Sequence, residues 1–323
     1  MPSEINRRVF IKGSVLTSAA GAMGLEAVAG AAKGPAEKSP PATKDALPKG
    51  KIGNMPVSRL LLGGNLLTHY THSRDLKYVY NLTAHYNTKE KIFETMALAE
   101  QHGIDTLSIH TANGVMDMLK EYRKKGGKIK WIVCPTAGID ASMKAYTKQV
   151  KQIVDDGVDA IYLWGVRGDQ LASRGKIDLI ERAVDIAKKC GVPSGVGAHD
   201  LKVVVECEKK KIDADFYIKT LHHHKYPSAP KPNELKRPYS EDPGYWCKDP
   251  NAVIEVMKNV KKPWIAYKVM AAGAISPTSA FKYAFQSGAD YVLAGMFDFE
   301  IREDVQIAKG QFVRGIKRER PWC

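Results

Sequence analysis

Histidine recurs just after apolar stretches of this chain, at His69, His110, His199 and the run His222 to His224, and one lysine, Lys268, stands inside the apolar stretch Trp264 to Met270. Imidazole titrates near neutrality and is the commonest metal ligand. A lone ammonium in an apolar run is costly to bury, so such a lysine either finds a partner or gives up its proton. It can then act as a base, a Schiff-base nucleophile or an anion anchor. The candidate catalytic groups are therefore His110, His199, His222 and Lys268, with Lys219 of the same character as Lys268. The bland alternative for Lys268 is a structural ion pair, for instance with Asp298.

His222 and His224 are two residues apart and face the same side of an extended segment. With a carboxylate such as Asp200 they could form a divalent-metal site with an open position; the alternative is a set of stacked or exposed histidines at a strand exit. Asn65, Asn113, Trp164 and Arg167 sit at corresponding positions after other apolar runs and are candidates for contacting a substrate. The proline-rich loop from Lys225 to Asp249 carries Gly244-Tyr245-Trp246-Cys247. Tyr245 and Trp246 could cover a substrate and stack on sugar rings, or simply pack against a rim.

From Lys51 onward the chain alternates strand-like and helix-like segments through eight repeats. The strands are short and almost wholly apolar, as in a parallel sheet buried on both faces. The helices end on glycine at Gly103, Gly126, Gly157 and Gly191. Eight such units over residues 51–323 predict a (β/α)8 TIM barrel, in which functional groups collect at the carboxyl ends of the strands. A doubly wound open sheet would usually carry a glycine-rich phosphate fingerprint after the first strand, and Gly63-Gly64-Asn65 is too short for one.

The net charge is +14, and the basic residues sit mostly in helix-like stretches and at their ends, where they read as solvated faces. No nucleic-acid module or interleaving of basic with aromatic residues accompanies them, so nucleic acid is not an expected partner; a small molecule is. Cys134, Cys190, Cys207, Cys247 and Cys323 show no paired spacing and predict no disulfide framework. The basic tail ending in Trp322-Cys323 could dock on the barrel or on a second subunit, and the sequence leaves both open.

Asn6-Arg7-Arg8-Val9-Phe10-Ile11-Lys12 resembles the twin-arginine export motif, and a weakly apolar run from Gly13 to Gly30 leads to small-residue cleavage sites. Residues 1–31 are expected to be a cleavable signal peptide, too short and diluted to remain as a membrane span. Residues 32–50 read as a flexible linker, and the mature protein is expected in a periplasm or beyond.

Several stretches, in order, resemble an aldo-keto reductase barrel. They are Val57-Ser58-Arg59-Leu60 to Gly64, Gly103-Ile104-Asp105-Thr106, Gly195-Val196-Gly197-Ala198-His199-Asp200, Ala266-Tyr267-Lys268-Val269-Met270-Ala271-Ala272-Gly273 and Gly295-Met296. The resemblance implies NAD(P) as cofactor, with Gly273, Gly295 and Met296 near it. It also implies a catalytic Asp, Tyr, Lys and His, but those positions fall at Ser108, Asn113, Pro135 or Thr136, and Trp164, so the tetrad is lost. Serine and asparagine cannot replace a phenol whose acidity a lysine tunes. The expected function is therefore an exported enzyme acting on a sugar-derived or carbonyl compound by His/Lys acid-base chemistry, of lyase or isomerase type, with a divalent metal as an optional aid. The alternatives are an NAD(P)H-dependent oxidoreductase with a rebuilt proton donor such as His110, and a non-catalytic periplasmic sugar-binding barrel.

Overall fold

The computed structural model describes residues 46–323 apart from Asn113 and Arg314. The expected signal peptide, all but the end of the linker, and Asn113 lie outside the described residues. The end of the linker is folded: Leu47 is buried in the core, and strand β1 (Lys49–Ile52) already begins there, paired antiparallel with β2 (Met55–Ser58).

The extended segment that begins at Met55 is broken at Arg59. That guanidinium turns beneath the barrel, donating to the Asp290 carbonyl at 3.1 Å and lying over the Trp322 ring at 4.4 Å. The barrel proper starts after it with β3 (Leu60–Gly63). There follow β4 (Thr106–His110), β5 (Lys130–Cys134), β6 (Ala160–Leu163), β7 (Ser194–Ala198), β8 (Phe216–Thr220), β9 (Trp264–Tyr267) and β10 (Tyr291–Ala294). All neighbours are parallel, and β10 closes on β3 through Val292 and Leu60.

Alternation along these strands sorts the apolar residues into two sets. Leu61, Ile132, Ala160, Phe216, Ile218, Ile265 and Tyr291 point inward and pack with Ile52 and Val57 of the hairpin, which plugs the amino-terminal end. Their neighbours, such as Leu60, Leu62, Val133, Ile161 and Val292, face the surrounding helices in the larger core. Each fully buried side chain of this size contributes about 1.5–3 kcal/mol, so the closed barrel is a rigid platform for whatever its rims carry.

The helices are α1 (Lys77–Tyr86), α2 (Lys89–Gln101), α3 (Val115–Lys124), α4 (Lys144–Asp155), α5 (Gly165–Ser173), α6 (Ile177–Lys189), α7 (Leu201–Lys209), α8 (Pro250–Met257), α9 (Pro277–Gln286) and α10 (Asp298–Val313). α1 lies in the insertion after β3, and α5 is an extra helix after β6 that the periodicity does not reveal. No helix among the described residues is long and apolar enough to cross a membrane.

The basic tail docks on its own barrel. Arg318 and Arg320 pair with the fully buried Asp290 at 3.3 and 3.2 Å, and the Arg318 guanidinium lies 3.2 Å from the Trp322 ring centroid. All five cysteines are free thiols.

Candidate active site

The sequence places Lys268 inside the seventh barrel strand. Instead β9 ends at Tyr267, and Lys268 has the left-handed backbone value φ 57°, followed by left-handed Ala271, Ala272 and Gly273. Such values cost a non-glycine residue about 1–2 kcal/mol each and persist only where the surroundings impose them. The turn swings the lysine off the sheet and over the mouth of the barrel.

There the Lys268 ammonium nitrogen meets Nε2 of His72. On the other side of that ring, Nδ1 of His72 is 2.9 Å from Oε2 of Glu241. A carboxylate only accepts, so Nδ1 carries the proton and Nε2 presents a lone pair to Lys268. Glu241 is itself fixed by the backbone N–H groups of Ser73 and Arg74, which donate to Oε1 at 3.1 and 3.0 Å. Burial pushes the Glu241 carboxyl up, but the His72 and Arg74 hydrogen bonds outweigh it and hold the group below its usual range.

Two aromatic faces complete the lysine's surroundings, Trp246 at 5.5 Å and Tyr267 at 5.8 Å from Nζ. With no carboxylate in ion-pair contact among the described residues, burial dominates and lowers Lys268 to about 7, against the opposing pull of Glu241 and Asp169. The expected pair with Asp298 does not form; Asp298 accepts from Tyr86 and Lys91.

A second pair also packs beside the Tyr267 ring. His199, at the carboxyl end of β7 as expected, has Nδ1 2.7 Å from Oδ2 of Asp169. The other oxygen of Asp169 accepts the backbone N–H groups of His199 and Asp200 at 3.0 and 2.9 Å. Again the carboxylate assigns the proton to Nδ1, leaving the Nε2 lone pair free. The ring lies between Tyr239 and Tyr267, with centroids 4.3 and 5.4 Å away. Burial lowers His199 to about 4; Asp169 pulls it up, and Lys268 and Lys219 push it down, so it is neutral at physiological pH. Gly165, at the start of α5, makes the arrangement fit. A Cβ there would stand 2.8 Å from the Tyr267 hydroxyl and 3.2 Å from Cε1 of His199.

The remaining expected residues fall into different places. His222 is buried, and its Nε2 accepts the backbone N–H groups of Trp246 and Cys247 at 2.9 and 3.1 Å while Nδ1 donates to the His223 carbonyl at 3.1 Å. His224 donates to the Cys247 carbonyl at 2.7 Å. These two histidines staple the long loop, and Asp200 caps α7 by accepting the Lys202 N–H at 2.9 Å. The metal expectation therefore fails on its donors: both nitrogens of His222 are occupied, and no group of three ligating side chains converges among the described residues. Burial lowers His222 to about 3, which suits a permanent acceptor.

Tyr245 is buried with its hydroxyl donating to the Arg237 carbonyl at 3.0 Å, so it braces the loop from within. Trp246 is also buried, yet its indole is the wall facing Lys268 and His72. His110 sits at the end of β4 under the edge of Tyr70, with Nε2 buried and unpartnered; burial lowers it to about 4. Trp164 and Arg167 lie at the start of α5, with Nε of Arg167 unpartnered, and Asn65 is exposed at the rim. Lys219 is fully buried on the helix side of β8, solvated by the His199 and Thr220 carbonyls and the Thr220 hydroxyl at 2.8–3.0 Å, a structural role. His72, Glu241, Asp169, Tyr239 and Tyr267 do not stand out from sequence. Only His72 leaves a trace there, in the clustering of histidine and tyrosine between Thr68 and Tyr86.

The positions implied for a nicotinamide dinucleotide do not suit its phosphates. Met296 is buried, and α10, which follows it, opens with Asp298 and Glu300, the latter accepting the Phe297 N–H at 2.9 Å. A helix start already occupied by carboxylates repels an anion. Of the three glycine and methionine positions, Gly273 alone has open space beside it, with no atom within 4 Å of the point where a Cβ would stand.

Among solved structures the chain is similar to a protein described as an aldo-keto reductase from Pseudomonas aeruginosa, with TM-score 0.56, 17% identity and coverage of 83% of this chain and 98% of the other. An aldo-keto reductase from Bacillus halodurans gives TM-score 0.53 at 11% identity, covering 81% and 91%. The phospho-2-dehydro-3-deoxyheptonate aldolase of Thermotoga maritima gives 0.50 at 11%, covering 85% and 76%. No protein-family model and no curated protein sequence matches the chain. At these identities the likeness is one of fold: the chain is a (β/α)8 barrel of the aldo-keto reductase shape.

Proposed function

We propose that the protein is an enzyme that moves protons on a small carbonyl or polyhydroxylated compound, of lyase or isomerase type, with Lys268 and His199 as its working groups. The observation that carries this reading is the meeting of two relays at one ring, Lys268–His72–Glu241 and His199–Asp169 both beside Tyr267. Each relay ends in a carboxylate anchored by backbone N–H groups. A base works best when its pKa lies near the ambient pH, and Lys268 at about 7 meets that condition. Tyr239, Tyr267 and Trp246 provide an apolar wall against which a sugar-sized molecule can lie. The barrel mouth is where such folds do their chemistry.

The twin-arginine-like start at Arg7-Arg8 supports export of the folded enzyme. The test is proton exchange. Short hydroxycarbonyl probes such as glycolaldehyde and dihydroxyacetone are incubated with the protein in heavy water, and loss of their α-C–H signals is followed by NMR. Catalysed exchange that falls in both His199→Gln and Lys268→Met is expected; exchange unchanged in both variants would overturn the reading.

The second reading is a nicotinamide-dependent oxidoreductase, favoured by the barrel's likeness to aldo-keto reductases and by the open backbone at Gly273. Saturable quenching of tryptophan fluorescence by NADPH or NADH in the micromolar range would favour it over proton transfer alone.

A further inference from the structure

We propose that Lys268 is a nucleophile, condensing with the carbonyl carbon of an aldehyde or ketone to form a covalent imine at the barrel mouth. This rests on the proton-transfer reading and narrows its substrate to a free carbonyl compound.

The geometry distinguishes this role from that of an ion-pairing or anion-holding lysine. A lysine kept charged for either purpose is normally balanced by a carboxylate in contact. Lys268 instead contacts the lone pair of His72 Nε2, whose orientation is fixed because Nδ1–H is committed to Glu241. The carboxylate is one imidazole removed, so the neighbour is a proton acceptor for the amine. This Lys–His–Glu order parallels the logic by which a hydroxyl nucleophile is activated through a histidine oriented by an acid. The groups facing Lys268 are its chain neighbour Tyr267, with His72, Glu241 and Trp246 from other elements, and more distantly Asp169 with His199. The left-handed turn at Lys268, Ala271 and Ala272, pinned by the buried Val269 and Ala271, holds the side chain against these rings. The Trp246 and Tyr267 faces would also favour the cationic, protonated imine.

The step balances without a redox partner. The amine lone pair forms the N–C bond as the carbonyl π pair moves to oxygen. The nitrogen gives up two protons in all, the first to Nε2 of His72, and oxygen gains two and leaves as water. The products are the imine and water. Its lowered affinity for protons gives Lys268 roughly a thousandfold more free amine at neutral pH than an ordinary lysine.

The test is reductive trapping with full-length protein at neutral pH. Glyoxylate, pyruvate, glycolaldehyde and dihydroxyacetone are each supplied with cyanoborohydride, and the labelled lysines are located by peptide mass mapping. For at least one probe, labelling of Lys268 should exceed that of every other lysine by roughly tenfold or more. His72→Gln should reduce it, while Lys268→Arg should lose the adduct and keep the fold by circular dichroism. Labelling spread over surface lysines with no excess at Lys268 would overturn the proposal. If α-C–H exchange persists while trapping fails, proton transfer stands and the imine falls; if both fail, both readings fall.

Discussion

Replacing Lys268 by Met should stabilise the protein while removing the reactive amine. The folded state lowers this group from 10.5 to about 7, mainly through burial. At about 1.4 kcal/mol per pKa unit, a shift of that size corresponds to roughly 5 kcal/mol against the ammonium form. Lys268 is partly open to solvent at the mouth, and water screens part of this, leaving roughly 2 kcal/mol. A methionine fits between Trp246 and Tyr267, where sulfur–aromatic contacts replace the lysine stem. The sign follows from linkage. Above 10.5 the amine is neutral in both folded and unfolded chains and costs nothing. Between 10.5 and 7 only the unfolded chain takes the proton, so stability falls as pH falls; below 7 the penalty is complete. Urea unfolding followed by tryptophan fluorescence at pH 6, 8 and 10 should therefore show the variant gaining most at pH 6 and little at pH 10. A gain independent of pH, or a loss at pH 6, would refute the account of why this lysine is neutral.

Two further outcomes are expected away from the reacting groups. Asp304 is buried in α10, and burial together with Glu300 and Glu303 raises it to about 7. Its contribution to stability is complete below the unfolded value of 3.8 and lost as pH rises to about 7, so Asp304→Asn should leave stability near pH 4 unchanged. The same variant should add up to about 4 kcal/mol at pH 8 in denaturant melts, and parallel curves would contradict this. His222→Ala removes the acceptor shared by the Trp246 and Cys247 N–H groups. Hydrogen exchange of those two amides should accelerate by roughly tenfold or more while the barrel strands stay protected, and unaltered protection would show that the loop does not depend on the staple.

Most of the architecture is legible along the chain. Short apolar strands alternating with amphipathic helices admit few closed arrangements, because each strand must be covered on both faces. That places His110, His199 and the histidine run at strand ends, and it singles out Lys268 as an ammonium with nowhere easy to go. The roles of these residues are not legible. His222 and His224 share a spacing compatible with metal ligation, yet what they bind depends on a loop that returns from more than twenty residues away to offer its backbone. Lys268 acquires its partner from His72 and Glu241, separated from it by nearly two hundred residues and about thirty residues of sequence. Asp169 lies on a helix whose weak periodicity hides it, and its pairing with His199 follows from the close approach that Gly165 permits. Local sequence sets period and chain reversal, which suffices for a barrel. Proton affinities depend on burial and on the charge a few ångströms away, and these arise only when distant segments are folded over the same mouth.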